Sequence, residues 1–482
     1  MSLHLYNTLT RQKEAFKPIH EGFVGIYVCG PTVYSDSHVG HGKSYVSFDI
    51  VVRYLRYLGY KVLYVQNITD VGHLLDDGED RMLRQARIEK LHPMQIAETI
   101  LRSYFEDMDA MGLVRPDISP RASGHITEQI ELVKALLDKG YAYEVNGSVY
   151  FDVRKYADYG KLSGRTVEEM LEGTRVEVRS EKKNPQDFAL WKRAEPEHIM
   201  RWPSPWGEGF PGWHVECSAM SMKYLGEQFD IHGGGLDNQF PHHECEIAQS
   251  ECATGRPFAN YWIHNNLVTV NGQKMSKSIG NQITLKDAFK KFDPLVVRLF
   301  ILQSHYRSTL DFSDEALLGA KSGLEKLLNT VRNLRTEAAK ARGESRAAAA
   351  AIDLESYRSR FLAAMDDDFN TPQATAVLFD LSREVNALLS LETKFSAASL
   401  EAIDALLEDL GGRVLGIVPE GSHAGLRADM KLEADLVQLL VDLRAEVRAQ
   451  KLWPLSDRIR DGLKKLGIVL EDKKDGTVWR KG

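Results

Sequence analysis

Hydrophobic positions in the first third of the chain follow two alternating periods. Val24–Val28 is a compact apolar run that ends at Cys29-Gly30. Tyr45, Phe48, Val51, Val52, Leu55 and Leu58 then recur at helical spacing and stop at Gly59, after which Lys61–Val65 forms a second apolar run. Strand, loop, helix and strand within about forty residues make a βαβ unit, and such units build parallel sheets with right-handed crossovers. Ligands of these sheets bind at the carboxyl ends of the strands. Cys29 and the stretch Asn67-Ile68-Thr69-Asp70 both fall there.

Residues near 115–210 read as an insertion, with a helix over Ile126–Lys139 and a hairpin, Tyr141–Val145 and Ser148–Phe151. The hairpin turns through Asn146-Gly147, a pair suited to the left-handed conformations of a type I′ turn. The sheet pattern resumes with Phe229–Ile231 and Tyr261–His264, and a second pair, Asn271-Gly272, precedes Lys274-Met275-Ser276-Lys277-Ser278. After about residue 313 long helical patterns dominate, interrupted by the alanine-rich stretch Arg346–Ala351, and Gly416–Gly425 sets off a final unit. The expected fold class is α/β. A Rossmann-type parallel-sheet domain over 1–312 carries the connective insertion at about 115–210 and a loop region at about 265–312. A helical bundle over 313–415 and a small C-terminal domain over 426–482 complete it.

A chain of 482 residues is long for a single core, which agrees with several domains. The formal net charge of −7 does not announce a nucleic-acid partner, so any basic footprint is local. Residues 427–482 hold 13 Lys and Arg against 10 Asp and Glu, a small positive excess on an acidic chain. Four cysteines, Cys29, Cys217, Cys245 and Cys252, are too few and too irregularly spaced for a disulfide scaffold, and are expected as reduced thiols. The N-terminal stretch lacks the basic-then-apolar order of a signal peptide, and no apolar run approaches the roughly 20 residues that cross a bilayer. A cytoplasmic protein without membrane attachment is expected.

Three constellations carry chemistry. His38-Val39-Gly40-His41 lies where the first helix begins, and a glycine between two histidines lets a phosphate approach the free N–H groups there. Imidazole donors suit charge developing on an α-phosphate. In Lys274-Met275-Ser276-Lys277-Ser278, two lysines flank small residues, a composition that can clamp a polyphosphate or form a solvated turn. Cys29, Cys217, His242 and Glu246 are all metal-competent, and His242 and Glu246 share a helical face at i, i+4. Two thiolates, an imidazole and a carboxylate suit zinc best among common metals. Cys245 and His243 lie in the same run and compete as ligands, so spacing leaves the set open.

The two phosphate motifs in one Rossmann-type chain resemble those of the class I aminoacyl-tRNA synthetases. Tyr27-Val28-Cys29-Gly30-Pro31-Thr32-Val33-Tyr34, Pro211-Gly212-Trp213-His214-Val215-Glu216-Cys217-Ser218 and Phe229-Asp230-Ile231-His232-Gly233-Gly234-Gly235 with Phe240-Pro241-His242-His243-Glu244 are similar to the cysteine-specific members, over nearly the whole chain. That resemblance implies ATP binding by His38, Gly40, His41, Met275, Ser276, Lys277 and Ser278. Catalysis would fall to His38, His41, Lys274 and Lys277, the lysines holding the departing pyrophosphate. It implies one zinc ion on Cys29, Cys217, His242 and Glu246, with Mg²⁺ accompanying ATP. An amino-acid pocket would be built from Gly30, Thr69, Trp213, His232, Gly233 and Asp237. The implied partners are L-cysteine, ATP and tRNA(Cys), bound by the helical bundle and by an anticodon-reading tail, in a monomer.

Two departures stand out: Val39 where the family more often has isoleucine, and a last helical stretch that follows the family only loosely. The ending, Asp475-Gly476-Thr477-Val478-Trp479-Arg480, fits better, with an indole able to stack on a base. A ligase passing the same adenylate to an amino-sugar, as mycothiol cysteine ligase does, would share all three motifs. The helical domain and tail favour tRNA. Intact His38, His41, Lys277 and metal ligands argue against a catalytically retired paralogue.

Overall fold

A computed structural model of the protein describes residues 2–71, 81–165, 181–196, 198–276, 279–342, 351–391, 393–420, 425–473 and 476–481. Lys277, Ser278 and most of the alanine-rich stretch lie outside these residues. By its internal contacts the chain divides into two compact units, Met1–Pro419 and Glu420–Gly482.

The centre of the first unit is a four-stranded parallel sheet of β1 (Phe23–Val28), β2 (Lys61–Gln66), β3 (Phe229–Gly235) and β4 (Ala259–Asn265), in the order β4-β3-β1-β2. Five of the six β1 residues are buried, as expected where helices cover both faces of a parallel sheet. Register aligns Tyr27 with His232 and His232 with Trp262, so the carboxyl ends of all these strands open at one edge. Helix α1 (Val39–Tyr57) crosses from β1 to β2 and buries Tyr45, Val46, Phe48, Ile50, Val51, Val52 and Leu55. The apolar repeat places its start at Tyr45, whereas the helix begins six residues earlier. Its first turn is held by a His38–His41 capping box, and the weak helix formers Gly40 and Gly42 hide that turn from a hydrophobic pattern.

The insertion forms its own antiparallel sheet from Ala142–Val145, Ser148–Phe151, Phe188–Arg193 and Gly209–Pro211. Asn146 (φ 51°) and Gly147 (φ 82°) both adopt the left-handed region that the hairpin turn requires. Helices α2 (Trp213–Leu225) and α3 (Glu244–Thr254) flank β3 in sequence and return the chain to the sheet. Beyond β4, strand β5 (Val268–Val270) turns through Asn271 and Gly272, at φ 50° and 77°, into β6 (Gln273–Lys274). Helices α4 (Leu285–Lys291) and α5 (Pro294–Leu302) follow, and β7 (Leu310–Phe312) then pairs parallel with β5.

Helices Asp314–Ala341, Leu354–Asp366, Thr371–Leu389 and Ala397–Leu407 pack on the same apolar core as the parallel sheet. Two buried polar hubs fasten them. Arg298 of α5 is fully buried, donating to the carbonyls of Leu415 (2.8 Å) and Met111 (3.2 Å) and to Asp49 Oδ2 (2.5 Å) of α1. Asp368 accepts from Tyr6 N–H, the Tyr306 hydroxyl and the Arg307 guanidinium at 2.7–2.8 Å, while neighbouring Asp366 accepts from Tyr54 of α1. In the second unit, helices Gly425–Ala449 and Trp453–Lys465 and a hairpin, Ile468–Lys473 with Gly476–Lys481, surround Val437, Val441, Leu463 and Ile468. Trp479 lies opposite Leu470 and packs against that small core. None of the described helices is long and apolar enough to cross a membrane.

Arg53 also donates to Asp49 Oδ2 (2.8 Å), so losing Arg298 removes the deeper of two cations from a buried carboxylate and leaves the Leu415 and Met111 carbonyls without their donor. Arg298→Met should therefore destabilise the Met1–Pro419 unit by about 3 kcal/mol, read as a fall in thermal midpoint. A variant as stable as wild type would remove the pair from the account.

Candidate active site

The strand ends open into a cleft of about 680 Å³ whose walls include Cys29, Gly30, His38, Gly40, His41, Trp213, Asp237, Asn265, Lys274, Met275 and Ser276. One end is built by the start of α1. His38 Nδ1 accepts from the main-chain N–H of Gly40 (3.1 Å) and of His41 (3.3 Å), and His41 Nδ1 accepts from His38 N–H (3.3 Å). The rings stack at 3.8 Å. A neutral imidazole that accepts at Nδ1 carries its proton on Nε2, so this turn presents two N–H donors beside the positive end of a helix dipole. A Cβ on Gly40 would sit 2.9 Å from the His38 ring and 3.2 Å from Met275 Cε, so glycine lets the lysine-bearing loop close over the turn.

That loop is tied at both margins. Asn281 accepts from Ser276 N–H (2.8 Å) and donates to the Lys274 carbonyl (3.1 Å). Val39 N–H donates to the Ile283 carbonyl and Leu285 N–H to that of Ser37, joining the loop to the start of α1. Lys274 is exposed, with Nζ 3.7 Å from Asp237 Oδ1.

Behind Cys29 and Trp213 lies a buried cluster. Cys29 follows β1, Cys217 sits on α2, Glu246 sits on α3, and His242 lies in an irregular turn, Gln239–His243, broken by extended Phe240. One ligand atom from each of these four comes within 4.8 Å of the others. Glu246 Oε1 is 3.1 Å from His242 Nε2, and Oε2 accepts from His232 Nε2 at 2.8 Å. His243 enters an overlapping set with Cys29, His232 and Glu246, its Nε2 3.2 Å from Cys29 Sγ. His243 Nδ1 bonds to His264 Nε2 (2.8 Å) and His264 Nδ1 to Thr8 Oγ1 (2.9 Å). Cys245 turns to the opposite side, 3.4 Å from the Tyr159 hydroxyl and among the apolar residues of the insertion.

Burial pushes the Cys29 and Cys217 thiols and the Glu246 carboxyl up, and no lysine or arginine among the described residues contributes to any of these shifts. It also pushes His214, His232 and His264 down to about 3. Desolvation thus drives these six groups toward neutrality, and a bound divalent cation inverts that preference for the thiols and the carboxyl, favouring thiolate and carboxylate. The donor set fits a soft divalent metal such as zinc.

Of the six residues expected around an amino acid, Gly30, Trp213 and Asp237 line the cleft. Thr69, His232 and Gly233 are buried behind it. Thr69 accepts from Asn67 Nδ2 (3.1 Å), while Asn67 Oδ1 takes the Gly30 N–H (2.8 Å). A Cβ on Gly30 would fall 1.6 Å from the Asn67 carbonyl and one on Gly233 2.2 Å from the Phe48 ring, so both positions require glycine. The sequence reading missed Asn238, Asn265, Asn266 and Gln282 on the cleft wall. Asn265 and Asn266 had a signal, since they stand at the carboxyl end of a parallel strand.

The model of the tRNA synthetases class I (C) catalytic domain matches residues 15–322, and that of the DALR domain matches residues 360–419. The chain is 55% identical to a cysteine-tRNA ligase of Chlorobaculum tepidum, over all of this chain and 99% of that protein. It is 50% identical to the cysteine-tRNA ligase of Thermus thermophilus over the same shares of both chains. A Mycobacterium tuberculosis methionyl-tRNA synthetase solved with methionyl-adenylate superposes with a TM-score of 0.60 at 15% identity, covering 83% of this chain and 92% of that one. At that identity the likeness concerns the fold.

The buried set has a direct assay. Protein purified without chelators should carry about one zinc ion per chain by emission spectrometry. Cys217→Ser should lower that content at least about tenfold, because three distant segments must supply the ligands. Cys245→Ser should leave it unchanged. Wild-type protein essentially free of metal would contradict the reading of the cluster.

Proposed function

The chain belongs to the cysteine-tRNA ligase family of class I synthetases, ATP-dependent aminoacyl-tRNA ligases, and from that premise we propose how its cleft divides the work. ATP lies along the α1 end. The cysteine carboxylate attacks the α-phosphorus, the bond to the β-phosphate oxygen breaks, and cysteinyl-adenylate and pyrophosphate form, with Mg²⁺ accompanying the nucleotide. A ribose hydroxyl at the tRNA 3′ end then attacks the acyl carbon, and AMP leaves.

His38 and His41 direct Nε2–H donors at charge that grows on the α-phosphate, where a preorganised donor acts most strongly in the transition state. Gly40 admits the phosphate to the helix N-terminus. Lys274, with Lys277, meets the departing pyrophosphate, while Met275, Ser276 and Ser278 bind the nucleotide. Gly30, Trp213 and Asp237 shape the site for the amino acid, and Thr69, His232 and Gly233 support it from behind. Cys29, Cys217, His242 and Glu246 hold zinc, which when bound supplies a soft Lewis acid that takes a thiolate far better than an un-ionised hydroxyl. Such a site rejects serine at the binding step, so no editing domain is needed.

The observation that carries this reading is the position of Cys29, which lines the cleft together with His38, His41 and Lys274 and also belongs to the buried ligand set. The family likeness spans the helical region and tail as well as the catalytic core, which disfavours an amino-sugar as acceptor. One chain holds the whole cleft, so we read the working unit as a monomer. The helical bundle and the final unit bind tRNA, and the final unit reads the anticodon. There Trp479 serves that small core, so the exposed basic residues of the unit carry the RNA contact.

Because Glu420–Gly482 is a compact unit of its own, its removal is a clean test. Deleting residues 426–482 should leave cysteine-dependent pyrophosphate exchange near wild type and lower tRNA charging by at least about tenfold at limiting tRNA. Serine should not support exchange in either protein. Exchange and charging that fall together would make the tail structural, and exchange without dependence on cysteine would overturn the assignment of the cleft.

A further inference from the structure

Lys43 lies two residues beyond His41, on the core face of α1, with 1% of its surface exposed. A buried ammonium is costly unless its donors are satisfied. Lys43 has no carboxylate partner among the described residues. Its Nζ donates instead to two main-chain carbonyls, Leu267 at 3.2 Å and Ser308 at 2.5 Å. Leu267 immediately precedes β5, and Ser308 lies just ahead of β7, the parallel neighbour of β5. Asn265, Asn266, Leu267 and Val268 line the cleft wall. The chain then turns through β5 and β6 into Lys274 and the loop that follows.

Helix α1 therefore grips this segment at both ends. At its far end the segment meets the start of the helix through the Val39–Ile283 and Ser37–Leu285 main-chain bonds. At its root it meets the Lys43 ammonium. Between these two anchors the described residues are tied by Asn281 to Ser276 and Lys274, by Asp311 of β7 to Thr269 and Gly272, and by the looser Lys274–Asp237 pair. The root is also met by the Ser44 hydroxyl of α1, which donates to Asn265 Oδ1 (2.9 Å), and Asn266 bonds to the Tyr306 and Arg307 carbonyls. Of these root ties Lys43 is the charged one, and charge-assisted donation makes it the strongest.

We propose that Lys43 is a positioning residue for amino-acid activation, fixing the root of the β5–β6 hairpin so that Lys274, Met275 and Ser276 meet the triphosphate opposite His38 and His41. The inference rests on the nucleotide reading of the cleft. It assigns Lys43 no contact with the reacting atoms. Burial lowers its pKa to about 7, and burial is the whole cause. The ionisable groups on the elements packed there, His264 of β4, Lys286 and Asp287 of α4, Arg298 of α5, and His305 and Arg307 before β7, do not contribute to the shift. The ammonium is present below the folded pKa and lost as pH rises through it, so the root anchor weakens on the alkaline side.

The test is the near-isosteric neutral variant Lys43→Met in pyrophosphate exchange, with KM for ATP and for cysteine measured from about pH 6 to 8.5. The KM for ATP should rise about tenfold, the order expected for losing charge-assisted hydrogen bonds, while KM for cysteine stays within about twofold. In wild type the KM for ATP should climb severalfold across that range, and in Lys43→Met it should be high and flat. A variant with wild-type KM for ATP, with both KM values raised together, or with the wild-type pH profile overturns the proposal. Should Lys43→Met fail to fold, amide exchange of the wild type decides. Protection at Thr269–Lys274 should fall between pH 6 and 8.5 relative to β1 after correction for intrinsic rates, and unchanged relative protection overturns the proposal. Wild-type protein without cysteine-dependent exchange would instead remove the nucleotide reading on which it rests.

Discussion

Burying two thiols, an imidazole and a carboxylate together, with no lysine or arginine among the described residues to balance them, is the constraint on which the functional end of this molecule turns. Desolvation holds Cys29, Cys217 and Glu246 in their neutral forms, and a neutral set of this kind contributes little to stability. A divalent cation makes the same residues favourable, because it supplies the missing charge and accepts their lone pairs. The fold supports that role by bringing together a strand end, a helix and an irregular turn with its following helix, elements separated by long stretches of sequence. Histidines surround the set. His232 holds one oxygen of Glu246, and His243 approaches Cys29 while bonded to His264. Partners of this kind orient ligands and fix their tautomers.

The second requirement is that phosphate chemistry occur next to that cluster. The parallel sheet meets it by ending β1, β3 and β4 at one edge, so Cys29, Gly235 and Asn265 share a cleft with the first turn of α1. Helix α1 is the element on which most of the site depends. Its first turn displays His38 and His41, Lys43 reaches the root of the β5–β6 hairpin, and Asp49 and Tyr54 reach α5 and the helical bundle. The bundle therefore continues the catalytic core rather than hanging from it, with the Asp368 hub joining it to Tyr6, Tyr306 and Arg307.

What the sequence made legible was local. The run at Val24–Val28 is a strand buried on both faces, while Lys61–Val65 is an edge strand whose first half stays partly exposed and whose second half is buried. Both Asn-Gly pairs turn as their left-handed preference demands. The i, i+4 spacing of His242 and Glu246 does place them side by side, even though the turn before α3 is not a regular helix. Periodicity carries no information about partners distant in sequence, and that is where the reading was incomplete. Asp49 and Arg298 are 249 residues apart, and Lys43 finds its carbonyls 224 and 265 residues away. The rivalry among His242, His243 and Cys245 for one metal was open from spacing alone. Packing turns Cys245 away toward Tyr159 and leaves His243 beside Cys29.

The central claim is that the buried set selects cysteine through its sulfur. X-ray absorption at the zinc edge of the full-length protein, recorded with and without saturating L-cysteine, tests it most directly. The account predicts a shell containing the two sulfurs of Cys29 and Cys217 in the free protein, one more sulfur with L-cysteine, and no change with L-serine. A sulfur count that stays the same when L-cysteine is bound would contradict it.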